Sequence, residues 1–183
     1  LVRTSIGTDT GGSVRGPSFY CGTVGLKPTY GLVPTSGVLD LAPSLDHVGP
    51  ISATVAEAAV TLDVLSGRSG ERRAASRLDE PVSGLRIGYA RNWFSDDSQT
   101  MPAVTAALDA AVSVLSVQGA VVSEVEMPDA ATIEVAVAAI LHAESFKLHA
   151  EALRDRPESY GRRAFLSLAA GLSLSDAEVE KAR

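Results

Sequence analysis

The sequence has a single cysteine, Cys21. No internal disulfide framework can form, and a reducing, cytoplasmic location is the expectation. It also lacks a basic excess: 16 Lys and Arg stand against 22 Asp and Glu, a net charge of -6. No basic cluster supplies a local exception, which argues against direct nucleic-acid binding. No apolar run approaches the roughly 18 residues that a membrane-spanning helix needs. Residues 1–13 carry charges and glycines where a secretory signal would place its apolar core. Internal repeats and low-complexity segments are absent as well.

What is present reads as a soluble globular chain. At 183 residues, 45% hydrophobic and 21% charged, it is about one domain long and can bury a sizeable core. It opens at Leu1 without a methionine and stops at Arg183 soon after a helix begins. The expectation is an internal piece of a longer protein, with residues 1–183 forming part of a single domain.

Residues 1–52 are rich in Gly, Pro, Ser and Thr, a pattern of short strands and ordered loops. Thr54-Val55-Ala56-Glu57 is a capping box. The helix after it places Val55, Ala58, Ala59, Leu62 and Leu65 on one face and ends at Gly67. Residues 68–83 are polar and form an exposed connection. "LRIGYA" (85–90) is a buried strand, and Val104, Leu108, Ala111, Val112 and Leu115 recur at helical spacing. "AVVSEVEM" (120–127) returns to alternation, so a βαβ unit with a parallel strand pair is predicted. A long Ala-rich helix follows over 130–153, then a shorter one near 159–170. A second capping box at Ser175-Asp176-Ala177-Glu178 starts the last helix.

The chemistry concentrates in "GTDTGGSVRGPSFYCG", residues 7–22. A serine hydroxyl needs a base to become a nucleophile, and acyl transfer also needs donors for the oxyanion. Gly11 and Gly12 can turn sharply and aim successive N–H groups into one concavity. Thr10, Gly11, Gly12 and Ser13 could then surround a developing negative charge, with Asp9 and Arg15 clamping the turn as an ion pair. From composition alone, a plain tight turn before a strand or short helix is the favoured reading, because a lone Gly-Gly-Ser is weak evidence. A phosphate-cradling loop fits less well, because no Gly-Lys-Ser/Thr follows and the GxGxxG order is missing. The three histidines give no base by pattern: His47 lies in a loop, while His142 and His149 sit seven apart on one helix face. That pair lacks the further spacing a metal site requires. The G-x-S-x-G elbow is also missing.

"GTDTGGSVRGPSFYCGTVGLKPTYGLVPTSGV" and "SLDHVGPISATVAEAAVTLDVLSG" resemble the amidase signature family. "GLRIGYARNWF", the helix before "QGAVVSEVEMP", and "HAESFKLHAE" agree more loosely. The resemblance implies an α/β fold in which a mixed central β-sheet is covered by α-helices, of which this chain is a partial domain. It implies hydrolysis of a carboxylic amide through a Ser–cis-Ser–Lys triad, with Ser13 as the nucleophile and no histidine required. The oxyanion hole would be the backbone N–H groups of Thr10, Gly11, Gly12 and Ser13, supported by Asp9 and Arg15. The implied partner is a small-molecule amide, with no cofactor, metal, nucleic acid or membrane, and homo-oligomerisation left open. The family's lysine and cis-serine motifs do not occur in residues 1–183. Lys27, in "GLKPT", belongs to a downstream family motif, and Lys147 and Lys181 lie in helical regions without triad context.

Two other readings remain. One is the glutaminase component of the tRNA-dependent amidotransferase, from the same family. There "TYGRVSRYG" is usual, whereas this chain has "TYGLVPTSG", with Leu32 and Thr35 in place of arginines. The other is a non-catalytic homologue used as a binding module, which the intact glycine turn and Ser13 disfavour.

Overall fold

The computed structural model describes residues 2–70, 73–95 and 100–183. They form a mixed α/β structure that divides into two compact units, one of residues 1–78 and 135–183 and one of residues 79–134. Part of the expected 68–83 connection, residues 71–72, lies outside the described residues.

The first unit is built on a three-stranded antiparallel sheet in the order β1-β3-β2. Strand β1 is Thr4–Asp9, β2 is Val24–Gly25 and β3 is His47–Ser52. The β1–β3 register runs from Thr4 opposite Ser52 to Asp9 opposite His47. The polar, glycine-containing β1 therefore ends beside His47, and the chain turns there into helix α1, Arg15–Cys21. Gly25 lets this helix lie close against the sheet: a Cβ there would sit 2.6 Å from the Val14 carbonyl oxygen and 2.3 Å from Ser18 Oγ.

Helix α2, Val55–Ser66, starts where the sequence places it. Thr54 Oγ1 accepts the Glu57 N–H at 3.2 Å and donates to Glu57 Oε2 at 3.1 Å. Glu57 also pairs with Arg3. The helix ends at Gly67 with left-handed φ of 64°. Ala58, Ala59 and Leu62 are buried, and Leu62 packs with Val33 and Val48 in the core. Val55 departs from the expected face and is 60% exposed; as the first helical residue it has no preceding turn to lie against. Buried Asp63 accepts the N–H groups of Ala74 and Ala75 at 2.6 and 3.0 Å, folding the connection back onto α2.

Most of the long helix α5, Ala130–Asp155, belongs to this unit and buries Ala143, Ser145 and Leu153. Helix α6 is Arg162–Ala169, beginning later than the spacing suggests because Pro157–Ser159 forms a separate single turn. Helix α7 is Asp176–Ala182 and carries the full capping box, with Ser175 N–H on Glu178 Oε2 at 2.8 Å and Glu178 N–H on Ser175 Oγ at 3.3 Å.

The second unit contains the predicted βαβ arrangement, but its first strand is not buried as expected: its residues alternate between exposed and half-buried, and Leu85 before it is 52% exposed. Strands β4, Arg86–Tyr89, and β5, Val121–Glu124, pair in parallel. Between them lie the short helix α3, Asn92–Ser95, and helix α4, Pro102–Val117. Val104, Leu108, Val112 and Leu115 are half-buried, while Ala111 is exposed. Tyr89 and Arg91 both bind Asp109 of α4, at 2.8 Å and, for the guanidinium, 3.1 and 3.0 Å. Among the described residues, no helix is long and apolar enough to cross a membrane.

Candidate active site

Residues 10–14 turn the chain from the end of β1 into α1. Val14 occupies the N-cap position and has no side-chain oxygen to offer the orphan N–H groups of the first helical turn. Asp9 supplies it from the strand end. Its Oδ2 accepts the N–H of Val14 at 3.2 Å and of Arg15 at 3.3 Å, and its Oδ1 accepts the N–H of Gly12 at 2.8 Å. Gly12 adopts φ of +124°, a conformation that side chains disfavour. Val14 and Asp9 are both fully buried, so the carboxylate grips the turn from inside.

A buried carboxylate requires compensation. The Arg15 guanidinium provides it side-on, with Nε on Asp9 Oδ2 and an Nη on Oδ1, each at 3.0 Å. Burial pushes the Asp9 carboxyl up. The Arg15 guanidinium and the N–H groups of Gly12, Arg15 and Val14 outweigh that, holding it at about 2. The same bond to Asp9 raises Arg15.

Ser13 is exposed, whereas the Asp9 carboxylate that holds the turn is buried. The sequence reading has Gly12 offering its N–H to an oxyanion, but that N–H points to Asp9 Oδ1. The N–H groups of Thr10, Gly11 and Ser13 and the Ser13 hydroxyl make no hydrogen bond among the described residues.

His47, expected in a loop, is the first residue of β3 and lies opposite Asp9 in the register. His47 Nδ1 lies 2.6 Å from the Leu45 carbonyl and so carries the proton; Nε2, 3.1 Å from Lys27 Nζ, is then the acceptor. Lys27 also donates to the Pro28 carbonyl. His149 Nδ1 meets the Tyr160 hydroxyl at 3.0 Å, and among the described residues no group of His, Cys, Asp or Glu could hold a metal ion. Lys147 pairs with Asp176 at 3.4 Å.

One residue at the turn escapes the sequence reading. Asp46, buried, accepts the Thr10 hydroxyl on Oδ1 at 2.6 Å and the N–H groups of Leu41 and Ala42 on Oδ2 at 2.8 and 3.0 Å. No local turn pattern signals it, since its donors lie four, five and 36 residues before it.

A family model described as Amidase matches residues 1–172. The chain belongs to the amidase signature family. It is 43% identical over 169 residues to an amidase of Pseudomonas putida, covering 87% of this chain and 36% of that one. It is 42% identical over 134 residues to a glutamyl-tRNA(Gln) amidotransferase subunit of Koribacter versatilis, covering 68% of this chain and 28% of that one. Among solved structures, a crystal structure of an amidase superposes with a TM-score of 0.82 at 30% identity, covering 98% of this chain and 39% of that one. The chain thus spans about a third of the length of the curated relatives it matches.

Proposed function

We propose that this chain carries the nucleophile-bearing segment of an amide hydrolase. Ser13 Oγ attacks the amide carbonyl and forms the C–O bond of a tetrahedral intermediate. The N–H groups of Thr10, Gly11 and Ser13 receive the oxyanion. Collapse breaks the C–N bond and releases the amine, which takes the serine's proton. Water then attacks the ester, freeing the carboxylic acid and restoring Ser13. By resemblance, the base is a lysine acting through a cis-serine. Neither motif occurs in residues 1–183, and the reading assigns both to the parent protein.

The observation that carries this reading is the division of the turn. Asp9 takes the N–H groups of Gly12, Val14 and Arg15 on its buried side. Ser13 stays exposed, and the remaining N–H groups of the turn are unspent among the described residues. Donors held in advance by a buried frame need no reorganisation when charge develops, which is the requirement for oxyanion stabilisation. Substitution Ser13→Ala in the parent protein, assayed on simple carboxylic amides, tests it. Loss of hydrolysis with the fold intact is expected; retained hydrolysis removes the reading.

A glutaminase role in an amidotransferase is the second reading, favoured by the identity to the Koribacter protein. Leu32 and Thr35 weigh against it. Glutamine as the preferred substrate in the same assay, with hydrolysis stimulated by partner subunits, would select it.

A further inference from the structure

The turn that presents Ser13 is gripped by Asp9 from within β1, and a second buried carboxylate holds its other end. Asp46 receives the Thr10 hydroxyl at 2.6 Å while its other oxygen closes the loop at Leu41 and Ala42. That loop is fixed from several sides. The N–H groups of Leu45 and Asp46 both reach the Ala42 carbonyl, at 2.8 and 2.9 Å. Ser44 donates its N–H and hydroxyl to Glu144 of α5 at 3.0 and 2.6 Å, and the Tyr30 hydroxyl donates to the Pro43 carbonyl at 2.7 Å. Asp9 lies opposite His47 in the β1–β3 register, so the ladder also fixes the separation between the two carboxylates.

We propose that Asp46 is a positioning residue for the Ser13 turn, acting through the Thr10 hydroxyl to set the direction of the Thr10 and Gly11 N–H groups. This rests on the reading of that turn as the oxyanion site. A negative charge beside a developing oxyanion would oppose it, so the contribution of Asp46 is geometric. Its three contacts all come from donors, which an acceptor-only carboxylate satisfies at once. In Asp46→Asn the amide oxygen can keep the Leu41 and Ala42 N–H groups, while the amide nitrogen donates to Thr10 Oγ1. The restraint survives there, and Asp46→Ala destroys it.

Two experiments separate this inference from the function it rests on. The first needs no activity: backbone amide resonances and exchange protection of residues 10–14 in the full chain, for Asp46→Ala, Asp46→Asn, Thr10→Val and the Ala–Val double variant. Asp46→Ala and Thr10→Val should move the Gly11, Gly12 and Ser13 resonances in the same direction. The double variant should add little, and Asp46→Asn should stay near native. If Thr10→Val leaves those resonances in place and Asp46→Ala moves only residues 41–45, Asp46 serves its loop alone and the inference falls.

The second measures amide turnover in the parent protein, normalised to the fraction of sites titrated by a fluorophosphonate. Displacing a reacting geometry by about 1 Å costs on the order of a hundredfold. Asp46→Ala and Thr10→Val should therefore lower kcat by about ten- to a hundredfold with KM little changed, and Asp46→Asn should recover most of the loss. A fall in titratable sites with normal kcat per site would mean a merely structural role and overturn the inference. Retained hydrolysis in Ser13→Ala would instead remove the functional reading, leaving the resonance coupling as the separate test of the restraint.

Discussion

The Arg15 guanidinium meets the Asp9 carboxylate edge-on, through two contacts of 3.0 Å, while Asp9 itself is fully buried. The carboxylate is thus spent twice, on a cation at the surface and on three backbone N–H groups within. Removing either function should be felt at Ser13 without any change at Ser13 itself.

Asp9→Asn is the sharpest way to separate these functions. An amide cannot accept on both edges, so at least one buried N–H or the guanidinium loses its acceptor, at a cost of about 1–3 kcal/mol. Activity of the parent protein should fall through loosened geometry. Unchanged rate together with unchanged stability would remove the clamp.

The same carboxyl sets an acid limit. Its folded value of about 2 lies below its ordinary 3.8. The stability it contributes is therefore fully present above about pH 3.8 and is lost as pH falls through 2. Screening at the half-exposed Arg15 reduces the contribution to about 1–2 kcal/mol. Thermal melts should show native stability declining between pH 4 and 2, and Asp9→Asn should flatten that part of the profile.

Three glycines within one motif should respond differently to alanine. At Gly12 a Cβ meets nothing within 4 Å, but φ is +124°, so the cost is backbone strain of about 1–3 kcal/mol. At Gly25 the Cβ would strike the Val14 carbonyl oxygen at 2.6 Å, forcing α1 off the sheet. Gly16 lies in α1 with open space and no positive φ, and Gly16→Ala should be neutral or stabilising by about 0.5–1 kcal/mol. Denaturant midpoints for the three variants check the order.

Leu62 anchors the core of the first unit against Val33 and Val48. Leu62→Ala should cost about 2–5 kcal/mol, against a small effect for exposed Val64→Ala on the same helix. Equal midpoints for the two variants would contradict the placement of that core.

Much of this was legible in the sequence where local chemistry decides structure. Both Thr/Ser-x-x-Glu starts open helices at the expected residues, and the spacing over 85–127 points to the parallel β4–β5 pair, because capping and periodicity are local signals. Val55 escaped because periodicity does not know where a helix's first turn lacks neighbours. The Gly12 N–H escaped for a related reason: four successive donors were visible in sequence, but not which of them a buried carboxylate would claim. Asp46 acts on Thr10 across 36 positions, and no local pattern couples the two.

Covalent labelling tests Ser13 as the nucleophile without depending on the choice of amide substrate. In the parent protein a fluorophosphonate should give a single adduct mapping to the peptide that contains Ser13, and Ser13→Ala should give none. Amide turnover should collapse with the adduct, on the order of a million-fold as for other serine hydrolases that lose their nucleophile. Residues 1–183 alone, without a lysine and cis-serine motif, should label slowly or not at all. Full turnover in Ser13→Ala, or fast labelling of residues 1–183 alone, would contradict the assignment of the nucleophile or of its mechanism.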